Sequence, residues 1–459
     1  MPVFPRVPSI EIAWPAAIFL ALVASAVALP GAFWLLLAGL AAIGCALLAW
    51  RHLPLACTAW LLMDGLTLEM TLRDLIGPTA FFTTIAAVKA AQIGLGTICA
   101  LRYGARIDPL NPAWVFGLIF VVGVVHGLHP GLSMADSLRS LAGSVAPFAF
   151  CFCRPPAGWC DAILRTARWG PLFTLAVGTV LDLGGLRPLF VESGGLRLAG
   201  TGHPAYLAAI CLAAIYACLI RLYRSGERTD LLLLGVDFLL LLLTGARAPL
   251  AYAGAVTVLA LTSLDSPAMP ARRRWTLLLA GAALVPPLAV LGGMFTDMRL
   301  FELLATDSTN LSGRQLLWPA FEQAAAGSLW FGWGLGAGNY IIPPDSELAR
   351  MLQTWAAHNE YLRLEVEGGE VGRALLIGSF VLWVWRHARR LPRAERGLMR
   401  LVFLALAAHA TTDNVLISSP ACVMFTVVAA VFGGGCAVTS LSQSACPIPG
   451  RWRRQRALP

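Results

Sequence analysis

Charged side chains are scarce in this chain: 13% of its 459 residues are Asp, Glu, Lys or Arg, against 58% hydrophobic. A soluble domain carries about 25% charged residues, so the shortage excludes an ordinary soluble globular protein. Also absent is the alternation of apolar and polar residues, about ten per strand, that marks a membrane barrel. Cysteine is absent from every connection on one of the two faces. All eleven cysteines fall in apolar runs, at the more basic ends of those runs or in the C-terminal tail. This excludes a disulfide framework on the opposite face.

What is present is apolar sequence in long blocks. Mean hydropathy is +0.72, and unbroken apolar runs approach the length that crosses a bilayer as a helix. Helices satisfy every backbone polar group within the segment, so the chain reads as an all-α polytopic membrane protein. About fourteen candidate spans are 12–29, 31–50, 53–70, 79–101, 112–128, 134–152, 160–182, 204–223, 229–244, 248–264, 275–292, 371–386, 398–415 and 420–438. Several are short or broken by Gly and Pro, which sets twelve as the lower count. The first, "IAWPAAIFLALVASAVAL", lacks a basic leader and a small-residue cleavage site and reads as a retained helix.

The net charge of +9 suggests nucleic acid only in a soluble protein; in a membrane protein excess Arg marks cytoplasmic loops. With the N-terminus in the cytoplasm, 23 of the 34 Lys and Arg lie in connections on that side and 10 on the other, with Lys89 inside a span. Both termini are then cytoplasmic, nucleic acid is not a partner, and membrane lipids are. The chain divides into N-terminal helices (1–182), central helices with outer-face arginines (183–292), one large outer loop (293–370) with amphipathic helices, and C-terminal helices with a basic tail (371–459). The loop holds four Arg and ten Asp or Glu and is too long for a plain connector. "CFCRPPAGWC" (151–160) lacks a clear fourth ligand, so its cysteines read as helix-end residues and no metal site is expected.

Polar residues collect in the outer connections. Arg197 lies in "GGLRLAGTGHP", Arg247 in "TGARAPL", Arg314 in "NLSGRQLLW" and Arg363 in "WAAHNEYLRLEVEGGEVG" (355–372). A lone arginine near a bilayer is explained by snorkelling. Arg247 sits in a turn of a few residues between apolar runs, which strains that explanation. Arg363 stands three residues after Glu360 and four before Glu367, so helical ion pairing gives it a structural role. Arginines converging at one face suit a phosphate-rich anion, because guanidinium stays charged and grips phosphate bidentately. At such a depth that anion is a lipid diphosphate. No Asp-x-Asp pair occurs in the outer loops to hold a metal on a diphosphate, which favours arginine for charge neutralisation.

His358 precedes an amphipathic stretch and can take a proton from a hydroxyl, with Asn359 beside it. "FGWGLGAGN" (331–339) lacks a P-loop's Lys-Ser/Thr ending; it is a tight turn or a backbone cradle near phosphate. His409 and Asp413 stand four apart near the outer surface, which favours a helix-end hydrogen bond over a role behind the reacting groups. Asp64, Glu69 and Asp237 lie within spans and have no partner evident in the sequence.

Three of these stretches together resemble the bacterial O-antigen ligase and polymerase superfamily. They are an Arg-x-x-x-Trp element (Arg314, Trp318), a Gly-rich turn (Gly332 to Gly338), and His-Asn followed by Glu-x-Gly-x-x-Gly (His358-Asn359, Glu367 to Gly372). "RLAGTGHPAYLA" is similar to the family's Arg-x-x-Gly before a proline-started helix and points to Arg197. "TGARAPL" is similar to its Thr-x-Ser-Arg turn, with Ala246 where serine is common, and points to Arg247. The resemblance covers roughly residues 190–440. It implies a metal-independent, inverting glycan transferase of the bacterial inner membrane, without cofactor. The donor is a glycan on undecaprenyl diphosphate, and the acceptor is a hydroxyl of lipid A-core (ligase) or of a growing glycan (polymerase). On this reading His358, Arg314 and Arg247 are catalytic, while Arg197, Asn359, Trp318, Gly334 and Gly336 bind substrate. A transporter or flippase of lipid-linked sugar is the rival class. It predicts internal repeats and midplane charges, whereas here no repeat is evident and the polar residues collect at one face.

Overall fold

The computed structural model describes residues 30–156, 158–193, 195–294, 316–352 and 354–444. The predicted first span 12–29, Arg314 and the basic run 451–456 lie outside the described residues. The described protein is mostly helical. Its N-terminal part comprises α1 (Pro30–Arg51), α2 (Leu53–Gly65), α3 (Leu68–Ile76), α4 (Pro78–Tyr103), α5 (Ala113–His126), α6 (Met134–Val145), α7 (Trp159–Ala167) and α8 (Gly170–Leu183). A hairpin of β1 (Phe190–Glu192) and β2 (Leu196–Leu198) follows, and then α9 (Pro204–Ser225), α10 (Arg228–Leu243), α11 (Arg247–Ser263) and α12 (Ala271–Met294). The C-terminal part holds α13 (Trp318–Gly327), α14 (Glu347–Leu352), α15 (Glu360–Ala388), α16 (Arg393–His409) and α17 (Ser419–Ser444).

Helix α9 is the axis of the bundle. Every residue from Ile210 to Tyr223 is buried, as a helix that is apolar all round must be. Ala213, Ala214 and Ala217 let neighbours approach closely, and α7, α8, α10, α11, α16 and α17 all pack on it. Pro204 starts it, and His203 caps it by accepting from the Ala205 amide at 3.2 Å. By length and composition, Phe81–Tyr103 and Pro204–Ser225 can each cross a membrane alone, and α2 with α3 forms a further candidate bent by 57°.

Several predicted spans are interrupted. The span 53–70 breaks at Leu66-Thr67, where Thr67 takes a left-handed φ of +47°. The freed carbonyls of Gly65 and Leu66 accept from the hydroxyls of Thr174 and Thr201, which satisfy the broken ladder. The span 134–152 is α6 followed by a 3-10 turn, Ala146–Phe152. The span 160–182 is two helices, α7 and α8. They part at Arg168-Trp169, where Arg168 turns to pair with Asp230 and Pro171 offers no amide. The expected span 371–386 is the middle of α15, which begins in the polar stretch at Glu360. The hairpin modifies the all-α expectation, with Val191 paired to Arg197.

The large loop builds a small core of its own. Leu317, just before α13, and Phe321 and Ala325 on it pack with Ala337, Ile342, Ala349, Ala357, Leu362 and Val366, and with Leu132 from before α6. The loop is thereby fastened to the first turns of α15.

Candidate active site

The segment 354–359 is held from both sides before α15 begins. The Trp318 indole N–H donates to the Ala357 carbonyl at 3.0 Å, and the Glu360 amide donates to the Ala410 carbonyl at 2.7 Å. The Asn359 side chain caps α15 by accepting from the Leu362 amide at 3.2 Å. Between these anchors His358 adopts φ +45°, a left-handed conformation uncommon outside glycine. Its Nδ1 lies 3.0 Å from Asp413 Oδ1, and its Nε2 lies 2.9 Å from Thr354 Oγ1. An ionised carboxylate only accepts, so Nδ1 carries the proton and Nε2 takes the Thr354 hydroxyl hydrogen. An imidazole with an orienting carboxylate behind it and its other nitrogen turned to a hydroxyl is arranged as a general base.

Asp413, favoured from its spacing as a helix-end partner of His409, stands behind the His358 imidazole instead. It accepts from the Asn414 amide at 2.9 Å, and its second oxygen lies 3.9 Å from His409 Nε2. The expected His409–Asp413 pair is therefore present but long, and the shorter contact goes to His358. Tyr252 lies against His409 with ring centroids 5.3 Å apart. Five residues before Tyr252, Arg247 opens α11. The chain Asp413–His409–Tyr252 thus connects the imidazole to the helix that starts with Arg247.

Arg247 is exposed and makes no ion pair or hydrogen bond with a described residue. Ala246 holds the N-cap position in an extended conformation but has no side chain to cap with. That is the position where the similar family commonly has serine, a preferred cap. An unpaired guanidinium and an uncapped helix start both favour an anion at this place. Arg197 comes to the same turn from β2: it is buried, and its Nε donates to the Thr244 carbonyl at 2.7 Å.

The glycine motifs explain each other. The Trp333 amide donates to the Val366 carbonyl at 2.8 Å, Gly334 to Glu367 at 3.0 Å, Glu370 to Leu329 at 2.9 Å and Val371 to Trp330 at 3.2 Å. The Gly-rich turn and the Gly368-Gly369 kink of α15 are therefore laced backbone to backbone. Gly369 breaks the helical dihedrals at φ +61°. Gly332 lies so close that a methyl on it would meet the Glu367 backbone carbon at 2.5 Å. Gly334 and Gly336 are buried with φ of +89° and +99°, against Leu128 and Ser140. Their place is inside the turn, and the Gly334 amide is already used. Of the two readings the motif allowed, the tight turn is the one that this geometry describes. Trp318 likewise holds the His358 segment through its indole. Arg363, as its spacing implied, pairs with both Glu360 and Glu367 and is buried.

Contacts through Ala357, Asp413, His409, Tyr252 and Thr244 thus link Trp318, His358 and Asn359 to the turn that Arg197 and Arg247 share. Residues 231–377, from α10 into α15, match the family model described as O-antigen ligase. The match supports the O-antigen ligase and polymerase superfamily. In general terms that family brings glycan transfer in polysaccharide biosynthesis, lipid-linked glycan substrates and a membrane location. No curated protein matches the chain.

Proposed function

We propose that this protein transfers a glycan from undecaprenyl diphosphate to an acceptor hydroxyl at the periplasmic face of the inner membrane, with lipid A-core as acceptor. The observation that carries this reading is His358 held by Asp413 and linked through His409 and Tyr252 to the helix that Arg247 opens, where Arg247 has no partner among the described residues and Arg197 reaches the same turn. The acceptor hydroxyl takes the place of the Thr354 hydroxyl at His358 Nε2 and gives up its proton there. Its oxygen attacks carbon one of the donor sugar from the side opposite the diphosphate. The bond from that carbon to the diphosphate oxygen breaks, and the configuration inverts. Asp413 stabilises the imidazolium and keeps Nε2 aimed at the acceptor. Arg247, Arg197 and Arg314 take up the negative charge that grows on the leaving diphosphate, which calls for no metal. Asn359, Trp318, Gly334 and Gly336 shape the segment around these groups.

Purified protein, carrier-linked repeats and lipid A-core in detergent provide the test. His358→Ala and Arg247→Ala should each lower the transfer rate on the order of 10²-fold or more. Arg247→Lys should recover only part of the loss, because lysine lacks the planar fork. Near-normal transfer by His358→Ala refutes the assignment. Long products from carrier-linked repeats without lipid A identify a polymerase of the same superfamily. Movement of lipid-linked sugar in proteoliposomes with no glycosidic bond formed identifies a transporter.

A further inference from the structure

We propose that Lys89, with Glu69 and Asp64, is a positioning device that holds the loop bearing Asp413 and the loop bearing Arg197 in one fixed relation. The claim rests on the function proposed above. Lys89 is the only lysine in a chain with 34 basic residues. It lies in α4, is 9% exposed, and donates to the carbonyl of Ile417 at 2.8 Å. Ile417 belongs to the connection between α16 and α17, four residues beyond Asp413. Glu69 on α3 sits beside Ser419 at the start of α17. Asp64, at the end of α2, faces Glu69 and Lys89. All three charged groups are buried, and Asp64 Oδ2 and Glu69 Oε1 have no hydrogen-bond partner.

The same helix break grips the other loop. Thr71 on α3 donates to the Thr201 carbonyl, and the Thr201 hydroxyl donates back to the Leu66 carbonyl. Gly202 packs on Thr67 so closely that any side chain at 202 would overlap it. Thr201 lies four residues beyond Arg197. Tyr206, in the first turn of α9, lies within electrostatic reach of both Glu69 and Asp413. One buried cluster therefore touches the connection that orients the base and the connection that presents an arginine.

Burial of two carboxylates and one ammonium is costly, and it persists only where the charges oppose one another. The choice of lysine follows from the space: its ammonium is compact, and a methyl on Gly143 would already sit 3.2 Å from Nζ. Gly143 thus leaves the ammonium the space that a side chain there would take. The position of Asp413 relative to His358 depends on a hydrogen bond from α4, although α4 supplies nothing to the site itself.

The test uses the full chain in lipid nanodiscs. Lys89→Met keeps the volume and removes both charge and donor. Lys89→Met with Asp64→Asn restores the wild-type net charge of the cluster but still leaves the Ile417 carbonyl without its donor. The double variant is expected to fold, to lose about 10-fold or more in kcat with the donor KM little changed, and to exchange backbone hydrogens faster over 410–418 and 197–202 together. Wild-type kcat and wild-type exchange over 410–418 in the double variant overturn the proposal. If only the single variant is impaired, the cluster serves charge balance and the positioning claim fails. His358→Ala, assayed in parallel, keeps the two readings apart. Full activity there sinks the proposed transfer mechanism, whereas the exchange measurement judges Lys89 independently of any activity.

Discussion

Two arginines in this protein carry the same charge into opposite situations. Arg363 is enclosed between Glu360 and Glu367, and burial with two carboxylates leaves it no capacity for a substrate. Arg247 is exposed and has no partner among the described residues, so its field is available to an incoming anion. Substitution should separate them cleanly. Arg363→Ala leaves two buried carboxylates uncompensated and should destabilise the fold by about 3–5 kcal/mol, read as a lower thermal midpoint in detergent. Arg247→Ala should leave that midpoint unchanged and remove transfer activity. His358 depends on its neighbour in a different way. Asp413→Asn keeps the shape but can donate to Nδ1 and so invites the wrong tautomer. A fall of about 10² or more in kcat with intact stability is expected, and a wild-type kcat in this variant would detach Asp413 from the chemistry.

At the scale of elements, the contact that makes the site possible is the lacing of the Gly-rich turn to the kink of α15. Four backbone hydrogen bonds join residues 329–334 to residues 366–371, and they form only because Gly332 and Gly369 carry no Cβ and adopt left-handed dihedrals. The kink lets α15 begin inside the loop core and continue into the bundle as one element, placing His358 next to the connection after α16. Gly369→Ala would push a methyl into the Trp330 backbone. It should cost about 1–3 kcal/mol and lower the thermal midpoint, while Gly254→Ala on α11, where a methyl meets nothing within 4 Å, should leave it unchanged or slightly raised. The glycines that looked like a phosphate cradle in the sequence thus act first as joints between the loop and a helix.

At the scale of the whole molecule, the end of α15 opposite His358 carries a second clamp. His387, just past the predicted span 371–386, donates from Nε2 to Asp108 at 2.6 Å and presents Nδ1 to Arg106 at 3.2 Å. Burial holds the imidazole well below its usual range, at about 4, with the Arg106 charge acting the same way. The unfolded chain takes up this proton near pH 6.5, so the folded state loses stability as pH falls from about 6.5 towards 4. The thermal midpoint should drop through that window, and His387→Gln should flatten the slope; an unchanged slope would remove His387 from the account. The stretch that matches the family model, residues 231–377, includes His358 and Arg247 but neither Arg197 nor Asp413.

How much was legible from the sequence follows from the reach of each interaction. Hydropathy and i to i+4 pairing act over a few residues, so the apolar helices and the Arg363 ion pairs could be read from the chain alone, whereas Asn359, read as a substrate residue, shows its capping role only in the structure. Breaks such as Thr67 could not, because the hydroxyls that satisfy the opened ladder come from Thr174 and Thr201, more than 100 residues away. His358 and Asp413 stand 55 residues apart, and His387 and Asp108 stand 279 apart; no local spacing encodes either pair. The amino-acid order by itself determined that the chain is mostly apolar helix and which residue types could serve an anion site. Only tertiary packing decided which carboxylate orients the imidazole and which arginine has no partner among the described residues, because both depend on which distant segments come within hydrogen-bonding distance.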